Sequence, residues 1–166
     1  MEIRPGKGVE QLLFGLTEPE LVRALGPPDK RYLTDSGARR LQYFGPRLEF
    51  SIEPDNGGRF SWVEVQCPEA TLFGCRVVGE PIGPVLSQVS ESLGEEPDHD
   101  DYGSLETFFY PRNWVELQVE FGRVVSVNCG VVYDRADEPL WPTAEPGATA
   151  DGSREPGSEH GDSICC

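Results

Sequence analysis

The sequence predicts an α+β protein built from two tandem units, each a short helical segment packed on one face of an antiparallel sheet. Three observations predict this. Several short runs alternate apolar and polar residues. A short helix with clear start and stop signals precedes one set of these runs. The whole pattern recurs once, at an offset of about 64 to 69 residues.

The first helix runs up to Leu25. Thr17 and Glu20 form a capping box, in which side chains satisfy orphan N–H groups at the helix start. Leu16 and Leu21 occupy the staple positions, and Gly26-Pro27-Pro28 ends the helix. Leu41 to Phe44 forms a first strand. In the next, Leu48, Phe50 and Ile52 oppose Glu49, Ser51 and Glu53. The turn Asp55-Asn56-Gly57-Gly58 leads to a third strand, where Val63, Val65 and Cys67 oppose Trp62, Glu64 and Gln66. One face of each strand is expected to be buried and the other wet.

The second unit repeats the order. Pro84 suits a first helical position, and Val85, Leu86, Val89 and Leu93 share one face before Gly94. Leu105 to Tyr110 is a strand, followed by Val115, Leu117, Val119 and Phe121 opposing Glu116, Gln118 and Glu120. Phe121-Gly122-Arg123 turns the chain into the last strand, with Val125 and Val127. Pro46-Arg47 is matched by Pro111-Arg112, and Gly58-Arg59 by Gly122-Arg123. An ordered set of matches points to internal duplication. The units are expected at residues 1–70 and 71–142. Residues 143–166 hold no aromatic and almost no large aliphatic residue, and are expected to be a disordered acidic Gly/Pro-rich tail.

The chain has 166 residues and a formal net charge of −15. The tail carries five acids and one base, so −11 belongs to residues 1–142. Clustered Lys and Arg, needed to grip phosphates or an anionic membrane, are missing, so no nucleic acid and no membrane is expected as a partner. Met1 to Gly8 lacks an apolar core, so no secretory or lipoprotein signal is expected. Five cysteines in no zinc spacing point to free thiols and a cytoplasmic location. Cys67 and Cys129 continue apolar alternations and are expected in the core; Cys75 is expected to be inert. The closing Cys165-Cys166 pair resembles a double-prenylation signal, but the body lacks the nucleotide-binding motifs of Rab GTPases.

Gly15 to Asp29, reading GLTEPELVRALGPPD, resembles the opening signature of the BamE/SmpA and BLIP-like fold group. A degenerate second copy lies at Gly79 to Asp98, and the resemblance extends over about Val9 to Tyr133. It implies tandem α+β units whose exposed sheet face binds another protein. The layout also looks like that of small bacterial immunity proteins.

No nucleophile elbow, phosphate loop or Cys/His pair occurs, so no catalytic residue, metal or cofactor is expected. Asp98-His99-Asp100-Asp101 reads as a solvated acidic loop. The wet sheet face is more informative. Trp62 shares parity with Glu64 and Gln66, and Trp114 with Glu116, Gln118 and Glu120. Glu49 and Glu53 join them. Indoles among acids have the composition of a protein-binding surface, with the acids steering a basic partner. Burial of the indoles within the chain, or self-association through them, would produce the same pattern. The expected function is a non-enzymatic binding module, of immunity or inhibitor type, acting on a basic, toxin-like protein. The alternative is a small-molecule binder or hydrolase using a cleft between the units.

Overall fold

The computed structural model describes residues 1–143; the expected tail from residue 144 on, with the Cys165-Cys166 pair, lies outside them. The chain opens with three short strands, β1 (Glu2–Arg4), β2 (Gly8–Val9) and β3 (Leu12–Leu13). Helix α1 (Glu18–Leu25) follows, then β4 (Lys30–Leu33), β5 (Arg39–Tyr43), β6 (Leu48–Glu53) and β7 (Arg59–Val65). The second half runs β8 (Thr71–Leu72), β9 (Cys75–Arg76), α2 (Ile82–Leu93), β10 (Asp98–Asp101), β11 (Glu106–Tyr110), β12 (Val115–Glu120) and β13 (Arg123–Gly130).

These elements correct the expected fold class. The protein is mostly β, with thirteen strands and two α-helices among the described residues. The halves do not form separate helix-on-sheet units. One antiparallel sheet runs through both in the order β10-β11-β12-β13-β7-β6-β5-β4, and a small sheet is ordered β3-β2-β1-β8-β9. The halves join twice: β7 pairs β13 antiparallel, and β1 pairs β8 parallel. Neither join shows in a local pattern, because both link residues far apart in sequence.

A single core lies against the apolar face of the large sheet. Phe50, Phe60, Val63, Leu117 and Val127 belong to one buried cluster with Ile3, Val9 and Leu72 of the small sheet and Leu21, Val85 and Val89 of the helices. The helices therefore share the apolar face with the small sheet. Phe60 packs its ring 4.9 Å from Phe14 and 5.1 Å from Phe50. Aromatic side chains bury large apolar areas and weigh heavily in the energetics of a core.

The capping box is present: the Glu20 carboxylate accepts from Thr17 N at 2.7 Å and from its hydroxyl at 2.8 Å. Those bonds, the main-chain one first, hold Glu20 below the usual carboxylate range. Helix α2 begins at Ile82, two residues before Pro84, with Pro81 as its cap. Cys129 is buried and Cys67 half-buried. Phe121 does not continue the buried row. It stands at the β12–β13 turn, 93% exposed, with φ of 50°.

The halves repeat in detail. Arg59 Nη1 donates to Gly15 O at 2.8 Å, and Arg123 Nη1 to Gly79 O at 2.9 Å. Each large-sheet half carries one register shift, between Ser51 and Ile52 in β6 and between Gln118 and Val119 in β12. Opposite these, Ser61 and Val125 are the extra residues.

Candidate functional site

The wet face of the large sheet is ordered by its register. One row crosses five strands as Gln42, Glu49, Glu64, Asn128 and Glu116. Glu49 and Glu64 are direct cross-strand partners, an arrangement of like charges that is unfavourable on its own. Polar neighbours moderate it. Glu49 accepts from Tyr32 Oη at 2.6 Å and from Gln42 Nε2, with Arg40 Nη1 at 3.7 Å. Donating to Glu49 pushes the Tyr32 hydroxyl up to about 12, with burial and the Glu49 charge adding to it. Gln66 donates to Glu64. Glu116 Oε1 accepts from Asn128 Nδ2 at 2.8 Å and Gln118 Nε2 at 3.1 Å.

The adjacent row holds the indoles. Ser51 is opposite Trp62, Trp62 opposite Gly130, and Gly130 N donates to Trp114 O at 2.9 Å. Both tryptophans are half-buried. Ser51 is short, so the Arg40 guanidinium reaches across it and lies 4.2 Å from the Trp62 ring centre. Trp114 meets Phe109 edge-on at 5.5 Å. Its backbone has φ of 50°, the left-handed region. The ring lies over Gly130 so closely that a Cβ there would stand 2.6 Å from ring carbons. Only glycine leaves room for the indole in this position.

A groove of ≈ 640 Å³ opens over this row, with Trp62, Trp114, Glu53, Glu116, Ser61 and Asn128 among its lining. Asn56 Nδ2 donates to Tyr133 Oη at 2.7 Å, joining groove residues of the two halves. Among the described residues, three buried side-chain atoms have no hydrogen-bond partner: Arg40 Nε, Ser61 Oγ and Asn128 Oδ1. All three residues line this groove. Glu49, Glu64 and Gln66 line a neighbouring groove of ≈ 320 Å³ with Gln42, Arg47 and Phe44.

The structure thus gathers Trp62, Glu53, Trp114 and Glu116 at one groove and Glu49, Glu64 and Gln66 at the next. Gln118 stands beside Glu116 and accepts from Ser126 Oγ at 2.9 Å. Glu120 is not gathered: it is exposed opposite Arg123 at the hairpin end. Sequence reasoning missed Arg40, Ser61, Asn128 and Gly130. Arg40 was findable, since it shares parity with Gln42 in an alternating strand. Ser61 was not, because the bulge that turns it toward the groove has no sequence signal.

No protein-family model and no curated protein matches this chain. Among solved structures, an extracellular protein containing a SCP domain from Bacillus anthracis str. Ames is similar, with 13% identity and a TM-score of 0.45. The likeness covers 69% of this chain and 42% of that one. At that level it fixes neither fold nor function. No helix among the described residues is long and apolar enough to cross a membrane.

The Asp98-His99-Asp100-Asp101 segment is an edge strand, not a loop. His99 stacks on Phe108 with centroids 4.4 Å apart and Nε2 3.0 Å from Glu106 Oε2. Among the described residues, no group of three or more His, Cys, Asp or Glu could hold a metal ion.

Proposed function

We propose that this chain is a non-enzymatic protein-binding module, of immunity or inhibitor type, that neutralises a basic protein through the wet face of its large sheet. The observation that carries the reading is the row of Glu49, Glu64 and Glu116 running beside Trp62 and Trp114. Carboxylates attract and orient a cationic surface, and half-buried indoles are the residue type that most often anchors a protein interface. Free thiols at Cys67, Cys75 and Cys129 fit work in the cytoplasm. The alternative, a small-molecule binder, would use the Trp62–Trp114 groove; the three unpaired polar atoms there are the observation in its favour.

Co-purification with basic products of adjacent reading frames tests the proposal when two charge-reversed doubles are compared. Glu64→Lys with Glu116→Lys alters the face; Asp35→Lys with Glu91→Lys makes the same charge change on exposed positions elsewhere. Loss of binding in the first double alone is the expected result. Equal loss in both would reduce the effect to net charge, and undiminished binding in the first would remove the face from consideration.

A further inference from the structure

Matching positions in the two halves show that the larger groove is specialised. Gln66 N donates to Arg47 O at 3.0 Å in one half, as Gly130 N does to Trp114 O at 2.9 Å in the other. Arg47 and Trp114 also share a left-handed backbone, with φ of 55° and 50°. Trp114 therefore stands where the first half has Arg47, and Gly130 where it has Gln66. The bulge residues differ as well: Val125 in the second half, Ser61 in the first. At each of these places the groove has a residue that its counterpart lacks: an indole, a glycine that accommodates it, and a hydroxyl.

That hydroxyl has no partner, and Ser61 is 2% exposed. Asn128, 5% exposed, spends its amide N–H on Glu116 and leaves its carbonyl oxygen unpaired. Leaving such groups buried and unpaired is costly unless something pairs them. The groove's charge states what that something is. Glu53, Asp55, Glu116 and Asp137 line it against one cation, Arg40. The lining acids repel an anion, whereas a cationic donor meets nearby carboxylates, aromatic side chains and two unpaired atoms able to accept, Ser61 Oγ and Asn128 Oδ1; the third unpaired atom, Arg40 Nε, is a donor that such a ligand does not pair. Trp62 already accepts a guanidinium from Arg40. A planar fork that stacks and donates in two directions suits this set better than a point-charge ammonium.

We propose that the Trp62–Trp114 groove is an arginine-capture site, taking the guanidinium of an arginine on the basic partner. This rests on the reading of the wet face as a partner-binding surface and names the group it recognises.

The test uses the full chain and three blocked pentapeptides, Gly-Gly-Xaa-Gly-Gly with Xaa as Arg, Lys or citrulline, followed by NMR. Expected are shifts at the Trp62 and Trp114 indole N–H and the Asn128 amide, with Arg binding about tenfold more tightly than Lys or citrulline. Trp114→Leu should abolish the preference. Ser61→Ala removes an unpaired buried hydroxyl, so it should fold at least as stably as wild type while weakening Arg binding severalfold. Arg47→Ala, at the matching place in the other half, should leave it unchanged. Equal affinity for the three peptides, shifts confined to other surfaces, or full Arg preference in Trp114→Leu would overturn the proposal. A basic protein that loses affinity for Glu64→Lys with Glu116→Lys but not for Trp114→Leu would overturn the arginine site while leaving the acidic-face reading in place.

Discussion

Cysteine chemistry separates two residues that look alike in composition. Burial pushes the Cys129 thiol up to about 12, so it holds its proton at neutral pH and has no thiolate to react. Cys75 is exposed. Iodoacetamide treatment of the native protein, with peptide mapping, should modify Cys75 and leave Cys129 untouched until denaturant is added. At this scale the sequence was legible where side chains alternate. Parity alone put Trp62 with Glu64, and Trp114 with Glu116, on one side of the sheet. It could not tell that Arg40 would cover part of Trp62 or that Gly130 would receive Trp114, since those contacts cross strands. Phe121 shows the limit: period-two counting ran one residue past the end of β12, into the turn.

Two elements carry predictions of their own. The β12–β13 turn places Phe121 and Gly122 at φ of 50° and 73°, the signs of a two-residue hairpin turn that favours Asn-Gly. Phe121→Asn removes an almost fully exposed ring from a backbone that disfavours it. A rise of about 0.5–1 kcal/mol in unfolding free energy is expected, read from urea titration. At the other end of the second half, Glu95 ties the end of α2 to the β11–β12 turn. Its carboxylate accepts from Arg112 N and Asn113 Nδ2, both at 2.8 Å, and pairs with Arg112 Nε at 3.4 Å. Burial alone would raise its pKa. The Arg112 main-chain bond, the Asn113 amide and the Arg112 charge outweigh burial and hold it below the usual carboxylate range. A lowered folded-state value means the contribution is present above the unfolded value and is lost as pH falls through the folded one. Glu95→Gln should therefore cost about 1–3 kcal/mol at pH 7 and flatten the acid limb of the stability curve. The edge strands β4 and β10 were illegible for a plain reason. All eight of their residues are exposed, so no burial alternation marks them.

Over the whole molecule, the continuous sheet decides how the protein unfolds. Separating the halves would break the β7–β13 ladder and the β1–β8 pairing and open one shared core. A single cooperative transition is expected, with calorimetric and van't Hoff enthalpies equal. Residues 1–70 or 71–143 expressed alone should show no cooperative transition by circular dichroism; an independently folded half would contradict the shared core. The repeat could be read along the chain, whereas the way its copies meet could not, because pairing partners so distant leave no local trace. That meeting point sets a condition on chemistry. Val65 faces Val127, and next to them Glu64 faces Asn128; Glu64 and Asn128 are themselves corresponding places in the two halves. Two separate, identical chains joined across a twofold axis would set glutamate against glutamate there. A single chain carrying both copies escapes that compulsion: one position keeps its acid while the other becomes an amide, and the central pair acquires a direction that a symmetric dimer is forbidden to have.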